Sequence, residues 1–224
     1  MTPRHLITTY PCAVLMVVQL TSILVYPFLD GEALGRALFS VVSVVAVALA
    51  VYAVRETPAL TWVSIILGAP LLVLTFVEAA VPHPAVVLAS GAVHALFYYY
   101  TAYAMIRYMF DDDHATVDEV WATGAAFTVL AWGFAYTYSV VQIIWPGSFT
   151  AGVDPDQART WMELLFLSVT TLTSTGLSDV VPLLPHARSF VMLEQIAGML
   201  YLALVVARIG ALLARRGVTH VPKG

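Results

Sequence analysis

Thr170-Thr171-Leu172-Thr173-Ser174-Thr175-Gly176-Leu177-Ser178-Asp179-Val180-Val181-Pro182 is the stretch on which the fold turns. It joins one glycine to a run of hydroxyl residues and a carboxylate. It continues the segment Trp161–Leu172, which is apolar but too short to cross a bilayer. An apolar run of full spanning length follows over residues 188–213. Irregular backbone is tolerated at membrane depth only where protein or a water-filled cavity surrounds it. The stretch therefore predicts a re-entrant half-helix, a loop that faces a cavity, and a final full span.

Upstream, five further apolar runs reach the length a hydrocarbon core about 30 Å thick demands, about 20 residues each. They cover residues 8–29, 33–54, 59–81, 85–110 and 117–145. Their separators are Asp30-Gly31-Glu32, Arg55-Glu56-Thr57-Pro58, Pro82-His83-Pro84 and Asp111-Asp112-Asp113-His114, all charges or helix breakers. Connections so short make the neighbours antiparallel. The expected architecture is all-α and integral to the membrane, with six transmembrane helices and the half-helix and loop between the fifth and sixth. Residues 1–110 read as a four-helix outer domain, 111–119 as an acidic linker, 120–216 as the unit containing the re-entrant loop, and 217–224 as a short tail.

Composition agrees: 60% of the 224 residues are hydrophobic and 11% charged, and the mean hydropathy is +0.86. A water-soluble domain of that balance would expose too much apolar surface. A net charge of −4 with ten Lys plus Arg leaves no basic surface for a phosphate backbone, so nucleic acid is not an expected partner. The single cysteine, Cys12, permits neither an intrachain disulfide nor a thiolate metal cluster. The first apolar run lacks a signal-peptide cleavage pattern and reads as a retained helix. Arg4, Arg55, Arg107, Arg208, Arg215, Arg216 and Lys223 fall on one side of the six spans, and Arg36, Arg159 and Arg188 on the other. That excess places both termini in the cytoplasm and brings the re-entrant segment in from the external face.

With half-helix, loop, Asp, Pro and final span in this order, the sequence resembles the pore region of the potassium-channel superfamily, whose pore helix leads into a filter written TVGYG and then Asp. The likeness continues through Ala187-Arg188-Ser189-Phe190 and from Leu193 to Ala203, which is similar to the inner helix of small prokaryotic channels. It covers the last third of the chain; the first four helices match in number and length alone. The resemblance implies a homotetramer with one loop from each copy. Ser174, Thr175, Gly176, Leu177 and Ser178 take the five filter positions, where backbone carbonyls replace the hydration shell of a permeant monovalent cation. Asp179 takes the external mouth, where a ring of carboxylates concentrates cations, and Asp154, Asp156 and Glu163 are expected to add to that field. The departures are Ser178 for the second glycine, Leu177 for the tyrosine, Ser174 for the first threonine and Thr175 for valine. A left-handed serine at 178 would cost roughly 1 kcal/mol in each copy. Leu177, expected opposite Phe166 and Leu167, would be restrained by apolar packing.

Gly198, within the final span, reads equally as a gating hinge and as a packing glycine. Glu194, with Thr170 and Thr171, is expected to support the pore helix by hydrogen bonding to its back. The fourth span has His94 and Arg107 with no arginine ladder between them, which excludes conventional voltage sensing. His94 and the run Phe97-Tyr98-Tyr99-Tyr100 read as packing residues. Glu78 and His83 are expected near water. Asp111-Asp112-Asp113 with His114 reads as a solvated charge run, and Asp118 as an amino-terminal cap of the fifth helix.

These features predict a passive channel for potassium, with no cofactor, in contact with lipid and multi-pass in a cell membrane. Prokaryotic inner membrane is the location by analogy. The competing readings are a weakly selective pore that also passes sodium and a non-conducting scaffold or sensor that keeps the channel fold. An intramembrane hydrolase using Ser178 with His186 lacks a nucleophile elbow and an acid–base set at one depth, so no enzyme is predicted.

Overall fold

The computed structural model of the protein describes residues 9–29, 45, 48–52, 61–81, 83–110 and 117–218. Five long helices and one shorter apolar helix are seen in them: α1 Pro11–Leu29, α2 Thr61–Ala80, α3 Pro84–Met109, α4 Val117–Ile144, the shorter α5 Trp161–Leu172, and α6 Pro185–Val218. Residues 48–52 are also helical. Two short strands, β1 Phe149–Thr150 and β2 Val181–Pro182, pair antiparallel with Phe149 opposite Pro182. Among the described residues, α1, α3, α4 and α6 are long and apolar enough to span a membrane, and α2 is apolar over the shorter stretch Trp62–Glu78. Most of the expected span 33–54, the acidic run at 111–114 and the tail from 219 lie outside the described residues.

Local chemistry sets the helix ends. His83 caps α3, its Nδ1 accepting from the Ala85 N–H at 3.3 Å, and Pro84 takes the first helical position, where no N–H is needed. α4 begins at Val117, so the last residues of the expected linker are already helical. Asp118 does not cap α4. Its carboxylate accepts the backbone N–H of Cys12 at 3.2 Å, which caps the start of α1 from across the bundle.

Contacts fix the helix directions. Cys12 meets Asp118, and Gln19 accepts from the Thr128 hydroxyl at 2.6 Å, so α1 and α4 run the same way. His94 stacks on Tyr136 with ring centroids 4.3 Å apart, and Tyr98 meets Trp132 edge-on at 5.7 Å, so α3 runs against α4. Tyr201 donates to the Thr123 carbonyl and Arg208 reaches Glu119 at 3.5 Å, so α6 also runs against α4. α2 precedes α3 across a tight turn, with the Glu78 carboxylate close to the Ser90 side chain near that turn. α4 is thus the central post. Its buried Ala122, Ala125, Ala126, Ala131 and Ala135 let the neighbouring helices approach closely, which matters because lipid supplies no hydrophobic force between helices. Leu24 and Phe28 on α1 remain exposed, as suits a lipid-facing side.

Candidate functional site

The segment expected to be re-entrant is built from α5 and the loop to β2. α5 starts with a complete capping box: the Thr160 hydroxyl accepts from the Glu163 N–H, and the Glu163 carboxylate accepts from the Thr160 N–H at 2.6 Å. Arg159, 5% exposed, ties the preceding loop together. Its guanidinium donates to the carbonyls of Val153, Asp154 and Gln157 and pairs with Glu163 at 3.2 Å. Gln142 of α4 holds the Arg159 backbone from both sides, accepting from its N–H and donating to its carbonyl, each at 2.9 Å. Glu163, expected to add to the acidic field at the mouth, is instead matched by this guanidinium.

The carboxyl end of α5 leads into the loop through a Schellman motif. The Ser174 N–H bonds the Thr171 carbonyl at 2.9 Å, and the Thr175 N–H bonds the Thr170 carbonyl at 3.0 Å. Ser174 sits at φ 58, the left-handed position that glycine usually fills, and Gly176 follows at φ 65. Ser178 is not among the left-handed residues, so the strain expected there falls on Ser174 instead, at roughly 1 kcal/mol. The Gly176 N–H also bonds Thr170, at 3.1 Å. Each of these three N–H groups points back to α5. Across a planar trans peptide the preceding carbonyl points the opposite way. The carbonyls of Thr173, Ser174 and Thr175 therefore project away from their own helix.

Farther along, the Ser178 hydroxyl accepts from the Val180 N–H at 3.1 Å, closing a local turn that glycine could not make. Leu177 is 78% exposed within the protomer and does not find its restraint in the expected packing with Phe166 and Leu167 of its own chain. Asp179 is exposed beside it. The β1–β2 pair and the bond from the Leu183 N–H to the Ser148 carbonyl, 2.8 Å, close the loop at its base. There His186 stacks on Trp145 with centroids 4.3 Å apart.

Behind α5 stands Glu194 of α6, fully buried. Its carboxyl group meets the hydroxyls of Tyr138 and Ser168, which join α4 and α5. Thr170 and Thr171 are buried, 6% exposed each, and the Thr170 hydroxyl turns back to the Leu167 carbonyl at 3.0 Å. Gly198 packs directly on the backbone of Leu172. Tyr138, Ser168, Gln142 and the loop role of Arg159 were not visible in the sequence, since a hydroxyl or amide among apolar residues carries no pattern of its own. His94 is buried and bonded to the Ser90 carbonyl at 2.8 Å, as a packing residue should be, and Phe97 and Tyr98 are buried with it. Among the described residues, no group of three His, Cys, Asp or Glu is placed to hold a metal ion.

Residues 124–215 match a family model described as an ion channel, a segment that runs from α4 through α5 and the loop into α6. No curated protein and no solved structure matches the chain.

Proposed function

Because the chain belongs to the potassium-channel superfamily through residues 124–215, we propose that it assembles as a homotetramer and passes potassium through a filter built from Ser174 to Ser178. The observation that carries this reading is the pair of N–H groups of Thr175 and Gly176 converging on the Thr170 carbonyl. They turn the carbonyls of Ser174 and Thr175 outward from α5, the orientation in which four copies around an axis can surround a dehydrated cation. Leu177, so exposed in one protomer, is covered by a neighbouring copy in this assembly. Asp179 forms a ring of four carboxylates at the mouth and raises the local cation concentration.

Six crossings, with both termini in the cytoplasm, fit the helix directions. α1 and α4 run the same way, α3 runs against α4, and α2 runs against α3, so α1 and α2 are parallel. The end of α1 and the start of α2 then lie on opposite faces, which one more crossing satisfies. The excess of Lys and Arg sets the orientation. Asp118 and Glu119 then lie at the cytoplasmic face, where Glu119 holds Arg208 near the end of the inner helix.

A reversal potential of the purified protein in planar bilayers, with potassium on one side and sodium on the other, tests the reading. A strongly potassium-directed potential supports it. A potential near zero with open current replaces it by a weakly selective pore, and silence from an intact tetramer by a scaffold or sensor.

A further inference from the structure

We propose that Glu194 works inside the membrane as a neutral carboxylic acid, the donor in a chain from Glu194 to Ser168 to Ala131 that seats the pore helix, and that loss of its proton closes the pore. The second part rests on the channel reading above; the first does not.

The hydrogen atoms can be counted. Three contacts need a proton each: Tyr138 hydroxyl to Glu194, Ser168 hydroxyl to Glu194, and Ser168 hydroxyl to the Ala131 carbonyl at 2.9 Å. The two hydroxyls supply two protons, and a carbonyl supplies none. The third proton must sit on the carboxyl group. Tyr138 then donates to Oε2, the acid donates from Oε1 to Ser168, and Ser168 passes its own proton to Ala131. Every polar atom of the set is satisfied, as a buried network at membrane depth requires.

The charged alternative would keep two hydroxyl donors and have no opposite charge beside it. Glu194 is 0% exposed. Tyr138 faces it from α4, Ser168 from α5, and Tyr99 from α3, whose hydroxyl bonds Thr137 at 2.8 Å. All three are uncharged, and Glu194 has no ion-pair partner among the described residues. A carboxylate so placed is shielded from bulk solvent and has no counter-charge among the described residues. When the proton leaves for the solvent at high pH, Ser168 turns its own proton to the carboxylate and the Ser168–Ala131 bond is lost. That bond joins the pore helix to α4, midway along the helix whose last turn holds the loop. Four copies release it together in the tetramer.

The test uses the full-length protein in liposomes, read in two ways as pH is raised. Infrared difference spectra should show a protonated-carboxyl carbonyl band that disappears at alkaline pH, is absent in Glu194→Gln, and is displaced in Ser168→Ala, where the acid keeps its proton and loses its acceptor. Potassium flux of the wild type should fall at least about tenfold per pH unit beyond the midpoint, the slope that one ionisation sets. Flux of Glu194→Gln, whose amide donates to Ser168 at every pH, should not follow that fall. A carboxyl band that persists unchanged in Glu194→Gln, with no displacement in Ser168→Ala, overturns the proton assignment. A Glu194→Gln flux that titrates like the wild type overturns the switch. Absence of flux from every protein at every pH overturns the channel reading and the switch together, while the infrared band still decides the assignment.

Discussion

A Cβ built on Gly198 would stand 2.1 Å from the carbonyl oxygen of Leu172, so α6 touches the last residue of α5 with no side chain between them. The contact gives this glycine a packing duty whether or not α6 also bends there. Gly198→Ala forces the two helices apart, an overpacking that costs about 1–3 kcal/mol at each site. The expected outcome is a lower thermal midpoint of the solubilised protein together with reduced current. Loss of current at an unchanged midpoint would instead mark Gly198 as a hinge alone.

The filter departures make a second prediction. Replacing Leu177 by Tyr and Ser178 by Gly together restores the family residues at the last two filter positions, and the reversal potential in opposed potassium and sodium should move towards potassium. The change also removes the bond from the Val180 N–H to the Ser178 hydroxyl, worth about 0.5–1.5 kcal/mol. A slightly less stable but more selective protein is expected. An unchanged reversal potential would remove the filter role given to these two positions.

Ser174 occupies the left-handed residue of the Schellman motif. Ser174→Gly should relieve roughly 1 kcal/mol of backbone strain per copy and raise the thermal midpoint. It also deletes the hydroxyl at the innermost position of the proposed filter, so conductance should fall while stability rises. Opposite signs in the two measurements separate strain from ion coordination; a fall in both would mean that the hydroxyl is part of the fold.

In the proposed tetramer Asp179 acts at a distance through its charge. Asp179→Asn should lower single-channel conductance in dilute salt, and the difference from wild type should shrink at about 1 M salt, where the Debye length is about 3 Å. A difference that persists unscreened would point to altered loop geometry instead.

Asp118 caps a helix other than its own. Asp118→Ala leaves the Cys12 N–H without its acceptor and should cost about 0.5–2 kcal/mol, the worth of an amino-terminal cap. Hydrogen exchange should quicken in the first turn of α1 and leave the end of α1 unchanged. Equal protection of that first turn in both proteins would show that the cap is not what holds it.

Much of the fold was legible because a bilayer imposes lengths. The half-helix Trp161–Leu172 has the bounds its apolar run predicted, and α1, α3 and α4 fall within a few residues of theirs. α6 starts at Pro185, ahead of the expected residue 188, because proline is accepted in a first helical turn. The order of half-helix, glycine loop, Asp and final span lies within the segment 124–215 that matches the ion-channel family model.

What the sequence by itself determined is the set of segments apolar and long enough to lie in lipid, together with the one loop whose polar backbone must face a cavity. Both follow from the cost of burying unpaired peptide groups, which acts residue by residue along the chain. Only the tertiary structure decided which groups meet. It put the left-handed turn at Ser174 and not Ser178, Asp118 on α1 and not α4, Arg159 on Glu163, and Tyr138 and Ser168 on Glu194. The pairings of Asp118 and of Glu194 depend on the rotation and direction of helices far apart in the chain, and a hydrogen bond between such helices leaves no period in the sequence to be read.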